Sequence, residues 1–296
     1  MNRLKNGLLL ALVCLLAACE KEVTSLKLPG ADSQLVVNAF ISPQDTVLEV
    51  AVYESKPVVG ERPGSASDII RDATVTLSDG EKTVVLPLLD PTPDLRRTSY
   101  RTRPEALPIE AGKTYYLQVS TPDGRLVTAQ CTVPAAPPAT QIRLDSVVRT
   151  LENGAAFRNY TGTLYWQDLA GEENFYRVDA DLKRVRVDNW SGKLLEDWQS
   201  VNWSPDKATF FSDARLDGAQ FSSPEINFSM HDYFRSTTLY AYLLHTDRAY
   251  FEYHRTLRAN ADSNPFAEPV LLYSNVAGGL GVFAAYNRTT FEFTFQ

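Results

Sequence analysis

The residues with chemical potential are sparse and do not form a set. His231, His245 and His254 are the three histidines of the 296-residue chain. They stand at no paired ligand spacing, and no H-E-x-x-H or C-x-x-C run accompanies them, so the parts of a zinc site are not assembled. No G-x-S-x-G elbow offers a serine nucleophile. Carboxylates are plentiful, with 36 Asp and Glu, but a glycosidase needs two of them about 5 to 10 Å apart in space, a separation that sequence spacing does not report. Gly278-Gly279-Leu280-Gly281 has the glycines of a phosphate loop without its Lys-Ser or Lys-Thr, and it opens no helix. A turn with close backbone approach is the expectation there. No catalytic residue, metal site or cofactor is therefore expected, and an uncharacterised hydrolase is the most remote function class.

The cysteines point to a different chemistry. Arg3 and Lys5, an apolar run from Leu8 to Leu16, and then Leu16-Ala17-Ala18-Cys19 have the layout of a signal peptide ending in a lipobox. Residues 1–18 would be removed and Cys19 would become a lipidated N-terminus carrying palmitate-type acyl chains. Each buried methylene adds about 0.8 kcal/mol, so several chains hold a protein on a membrane essentially permanently. Glu20, Lys21 and Glu22 resemble the acidic signal that sends some lipoproteins to the outer face of the outer membrane, and residues 19–34 would be the tether. Cys14 leaves with the signal, so Cys131 alone remains in the folded part and no internal disulfide forms. Loss of Arg3 and Lys5 moves the net charge from −7 to −9. That acidity speaks against nucleic acid as a partner.

The elements that must position these residues read as mainly β. Short alternating runs at 35–40, 47–53, 73–77, 83–86, 114–119 and 126–133, with turn dipeptides at Asp79-Gly80 and Asp123-Gly124, predict a β-sandwich over 35–134. Pro134, Pro137 and Pro138 mark a Pro-rich linker at 135–141. Residues 142–296 form an aromatic-rich β domain holding all four tryptophans, with strands at 161–167, 175–187 and 291–295. One helix is expected near 246–260, with Tyr250, Tyr253 and Leu257 on one face and Asp247 near its N-cap. The closing run 291–295 alternates like a barrel strand, yet reads better as the edge of a sandwich. Asp45-Thr46-Val47 and Asp145-Ser146-Val147 resemble three-residue O-glycosylation sequences and read equally as strand edges.

Several runs together resemble the domain-of-unknown-function family 4249 of the Bacteroidota. They are Leu35-Val36-Val37-Asn38-Ala39-Phe40-Ile41-Ser42-Pro43, the Asp72 to Leu77 and Gly112 to Leu117 segments, and Asn264-Pro265-Phe266-Ala267-Glu268-Pro269 with Tyr273 to Phe283. The resemblance implies an outer-membrane lipoprotein whose N-terminal sandwich, 35–134, is immunoglobulin-like or transthyretin-like, commonly encoded beside TonB-dependent receptors, and brings no catalytic residues. Asn264, Phe266, Glu268, Asn275, Gly278, Gly279 and Gly281 stand out as a binding or structural loop. The resulting expectation is a non-enzymatic, surface-exposed lipoprotein acting as accessory or cargo-capture subunit of a TonB-dependent receptor barrel, with polysaccharide or peptide as cargo classes. The alternative is a stand-alone surface module binding polysaccharide or protein.

Overall fold

The computed structural model describes residues 33–55, 69–89, 98–138, 140–150, 156–201, 208–231, 233–261 and 270–295. It is mainly β, with several largely antiparallel sheets and one α-helix among the described residues. The N-terminal half contributes β1 (Leu35–Ile41), β2 (Leu48–Glu54), β3 (Thr74–Ser78), β4 (Thr83–Leu86), β5 (Leu88–Leu89), β6 (Ser99–Thr102), β7 (Thr114–Ser120) and β8 (Leu126–Thr132). The C-terminal half contributes β9 (Thr140–Thr150), β10 (Ala156–Gln167), β11 (Phe175–Val187), β12 (Leu194–Ser200), β13 (Phe210–Ser212), β14 (Gln220–Ser222), β15 (Ile226–His231), β16 (Ser236–Thr246), α1 (Arg248–Ala261) and β17 (Leu280–Phe295).

Alternation decides which face of each strand is buried. In β1, Leu35, Val37, Ala39 and Ile41 point one way and are buried; in β7, Tyr115, Leu117 and Val119 do the same. These faces meet in one core, which Cys131 of β8 also enters. The thiol is buried, and that burial pushes its pKa well up, the condition of an inert core cysteine. Both expected hairpin turns form. Gly80 and Gly124 take φ of 92° and 89°, and Asp79 Oδ1 accepts the amides of Glu81 and Lys82. A second core lies between β11, β16 and the end of β17 on one side and β10 with β15 on the other, with Trp166 among its fully buried side chains.

One long sheet joins the two halves, in the order β12-β11-β16-β17-β1-β2-β6-β5. Its joint is β17. Residues 280–285 run parallel to β1, from Val36↔Leu280 to Ile41↔Ala285, and residues 286–295 run antiparallel to β16. Phe283 and Ala285 accordingly fill the first core, while Phe291 and Phe295 pack on the second. Along 291–295 the strand pairs with β16 alone. The stretch between β8 and β9 is fastened to this joint: Asn287 Nδ2 donates to Pro134 O at 3.2 Å, and His245 Nδ1 lies 3.1 Å from Ala135 O. β9 begins at Thr140. No helix among the described residues is long and apolar enough to cross a membrane.

α1 lies across the opposite face of the long sheet, where Tyr250, Tyr253 and Ala249 meet Val282, Ala284 and Phe40. It begins two residues later than the sequence suggests. Asp247 caps it, Oδ1 accepting the Tyr250 amide at 2.7 Å while Oδ2 accepts the Ala285 amide at 3.0 Å. Leu257 corrects the expected apolar face: it is 45% exposed, because the side that α1 turns inward runs through Ala249, Tyr250, Tyr253 and Thr256, all of them buried.

Candidate functional site

Cys19, Glu20, Lys21, Glu22, Asn264, Phe266, Glu268 and Trp203 lie outside the described residues. The rest of the singled-out loop is a seam between sheets. The Asn275 side chain acts as a substitute strand: its Oδ1 accepts the Phe283 amide at 3.0 Å, and its Nδ2 donates to Phe283 O at 2.7 Å and Gln130 O at 3.3 Å. Ala277 bridges Thr128 of β8, and three residues later the chain pairs with β1. The glycines permit that crossing. A Cβ at Gly278 would sit 2.3 Å from Leu126 O, at Gly279 2.5 Å from Leu35 O, and at Gly281 2.1 Å from Val37 O, with Gly281 at φ +110°.

The three histidines do not converge. His245 is buried against Tyr176 and holds the 134–138 stretch. His231 stacks between Phe157 and Tyr233. His254 stacks on Tyr250, with Nδ1 2.9 Å from Tyr250 O, and burial pushes its pKa down to about 4, so it is neutral near pH 7.

The convergent chemistry lies on the open face of the C-terminal part of the long sheet, beside α1. In β11 the apolar Tyr176, Val178, Ala180 and Leu182 point to the core, leaving Arg177, Asp179, Asp181 and Lys183 on the other side. Register places Asp179 beside Tyr242, Asp181 beside Tyr240 and Lys183 beside Trp198. Trp198 and Tyr240 stack with centroids 5.3 Å apart, and Trp198 stays 56% exposed. Lys183 lies 5.7 Å from the Trp198 ring and pairs with Glu196 at 2.7 Å. An aromatic surface edged by charge results.

Where this face meets α1, a cavity of about 320 Å³ opens between Arg177, Tyr242, Tyr250, His254, Tyr286 and Arg288. Most of its polar groups hold one another. Arg177 donates to Asp179 Oδ2 and to the Tyr250 hydroxyl, both at 2.6 Å. Ser200 donates to Asp181 Oδ1 at 2.7 Å, and Tyr286 donates to Asp45 Oδ1 at 2.8 Å. Burial, with Asp181 nearby, pushes the Tyr242 hydroxyl up to about 12; burial and the Asp45 carboxylate lift Tyr286 further. Burial also raises Asp45 despite that hydrogen bond. Both phenols stay protonated donors. Arg288 is the exception. Its guanidinium lies 5.2 Å from the Tyr242 ring centroid, it forms no ion pair among the described residues, and its Nε is buried without a hydrogen-bond partner. It can meet an anionic group at the cavity mouth.

One acidic group could be mistaken for a metal centre. Carboxylate oxygens of Asp168, Asp213 and Asp217 lie within 4.8 Å of one another. Asp168 accepts from the Tyr176 hydroxyl and the Gly218 amide at 2.8 Å each, Asp213 from the Asn174 amide at 3.0 Å, and Asp217 from the Gly171 amide at 2.9 Å. These bonds tie the turn after β10 to the turn before β14, a structural use of all three side chains.

With this geometry in place, comparison with known proteins adds one result. The family described as "Domain of unknown function (DUF4249)" matches residues 21–292. The chain belongs to this family. No curated protein matches it. A solved chain from "Cytokine receptor complex - Crystal form 1A" is similar at 11% identity over 73% of this DUF4249 chain and 85% of that one, with a TM-score of 0.21, too low to carry an argument.

Sequence reading of this DUF4249 member marks the C-terminal half as aromatic-rich without naming Lys183, Tyr240, Tyr242 or Arg288. The signal was there in β11, where apolar and charged residues alternate from Tyr176 to Lys183. It was hidden in β16, where Leu239-Tyr240-Ala241-Tyr242-Leu243 is apolar or aromatic at every position, so the half-buried Tyr240 and Tyr242 leave no polar period of two in the sequence.

Proposed function

We propose that the protein is a non-enzymatic lipoprotein of the outer membrane, anchored through Cys19 and facing the exterior, whose C-terminal sheet face captures cargo for a TonB-dependent receptor. On this reading residues 35–134 supply an immunoglobulin-like or transthyretin-like frame that carries the binding face away from the membrane. The observation that carries the proposal is the Trp198–Tyr240 platform beside the Arg288 cavity: stacked rings give contact area at low entropic cost, and a guanidinium with no ion pair among the described residues gives a directional polar anchor. The lipobox and the acidic residues 20–22 support the location, and the neighbours that the family resemblance implies support the receptor.

Purification of the lipidated protein from native outer membranes in mild detergent, with protease shaving of intact cells, tests the reading. A co-purifying barrel together with cleavage on whole cells is the expected result. Recovery of the protein alone under several detergents counts against a receptor subunit. The second reading, a stand-alone module binding polysaccharide or protein, is favoured by the exposure of Trp198 and of Trp190, which is 99% exposed. Ligand capture that is lost in Trp198→Ala, with no barrel recovered, would support that alternative.

A further inference from the structure

The N-terminal half carries a second surface of different chemistry. In β3, β4, β7 and β8 every residue pointing away from the core is threonine, serine, glutamine, tyrosine, valine or leucine. None is charged, although Asp, Glu, Lys and Arg make up 22% of the chain. A solvated sheet face normally carries charge, so this depletion calls for a cause. The middle of the face is concave, enclosing about 510 Å³, and is walled on one side by the Asn275–Ala277 segment that bridges Thr128.

Cross-strand register sets Tyr116 beside Gln130 and Gln118 beside Thr128, about 4.8 Å apart. Tyr116 is 46% exposed. The side-chain amides of Gln118 and Gln130 and the hydroxyls of Tyr116 and Thr128 form no hydrogen bond among the described residues, so four groups that each donate and accept line one groove beside an accessible ring.

We propose that this groove binds a neutral polysaccharide chain. Amides and hydroxyls match the paired donor and acceptor character of sugar hydroxyls, and Tyr116 offers a ring against which a sugar face can lie. No lysine or arginine is present on the face to hold a polyanion, and no carboxylate to hold a cation. A protein partner would be met by clustered aromatic, methionine and arginine side chains, whereas the outward side chains of these four strands include one aromatic ring, with hydroxyls and amides around it and Val85 and Leu126 exposed singly. The site is separate from the Trp198 face and does not depend on a receptor.

Affinity electrophoresis of the full-length protein in mild detergent tests the assignment, using gels that contain a mixed-linkage β-glucan, a galactomannan, an α-glucan or polygalacturonate. The expected result is retardation in at least one neutral gel, unaffected by added salt. It should weaken roughly tenfold in the Gln118→Ala/Gln130→Ala variant, which loses two side-chain amides that bond sugar hydroxyls. Both side chains point outward, so the melting temperature should be unchanged. Trp198→Ala should retain the retardation. Mobility unchanged in every neutral gel, retardation by polygalacturonate alone, or retardation lost in Trp198→Ala and kept in the glutamine variant would each overturn the proposal.

Discussion

Asp247 joins the first turn of α1 to β17 through two backbone amides, and burial pushes its carboxyl up to about 7 from an ordinary 3.8. The unfolded chain releases that proton near pH 4. The contribution of Asp247 to stability is therefore full below about pH 4, falls as pH rises to about 7, and is level above. His254 works in the opposite sense. Its neutral form is favoured by the fold, so its contribution is present above about pH 6.5 and is lost as pH falls to about 4. Asp247→Asn removes the first slope alone. The difference in urea midpoint between this variant and the parent should move in favour of the variant from about pH 5 to about pH 8; a constant difference would show that Asp247 titrates normally in the folded protein. At Gly281 the constraint is steric, with φ at +110° and Val37 O in the place of a Cβ. Gly281→Ala should cost about 2–4 kcal/mol in denaturant titration, and a cost near zero would mean that the seam relaxes easily.

The elements show where local pattern suffices and where it fails. Strands with one buried face, such as β1, β7 and β8, alternate and were legible within a residue or two, and so were the Asp-Gly hairpin turns, because a φ near 90° demands glycine. β16 and most of β9 were not legible, the first because apolar and aromatic residues occupy both of its faces and the second because most of its residues are exposed. α1 was found from its aromatic spacing and its Asp cap, but Leu257 was misplaced because the buried side of the helix continues from Tyr253 through Thr256. The seam at Asn275 makes a prediction at this scale. Asn275→Ala leaves the amide and carbonyl of Phe283 without the side chain that now satisfies them, at a cost of about 2 kcal/mol. In hydrogen exchange the Phe283 amide should lose protection while amides of β17 paired with β16 keep theirs. Equal loss along the whole strand would mean that β17 opens as one unit.

For the whole molecule the decisive feature is that β17 belongs to both halves. The first core contains Phe283 and Ala285, contributed some 150 residues after the last N-terminal strand. A fragment of residues 33–138 lacks that strand, leaving the edge of β1 and the adjoining core open to water. It should fail to give a cooperative unfolding transition or dispersed amide resonances. The full chain should unfold in one calorimetric transition, since neither half can keep β17 if the other loses it. Two well-separated transitions would show that the halves are independently stable and that β17 is a peripheral strand of one of them.

The sequence by itself determined the chemical inventory, the turns, the helix and its cap, and the faces of the half-buried strands, because each of these depends on residues a few positions apart. It also marked Gly278, Gly279 and Gly281 as a place of close backbone approach. What the tertiary structure decided was partnership. Register between β11, β12, β16 and β17 brought Lys183, Trp198, Tyr240, Tyr242 and Arg288 onto one face, and the parallel pairing of β1 with β17 linked residues more than 240 positions apart. Local periodicity says which side of a strand is apolar; it does not say which strand lies beside it, and that choice is made by long-range packing and backbone hydrogen bonding.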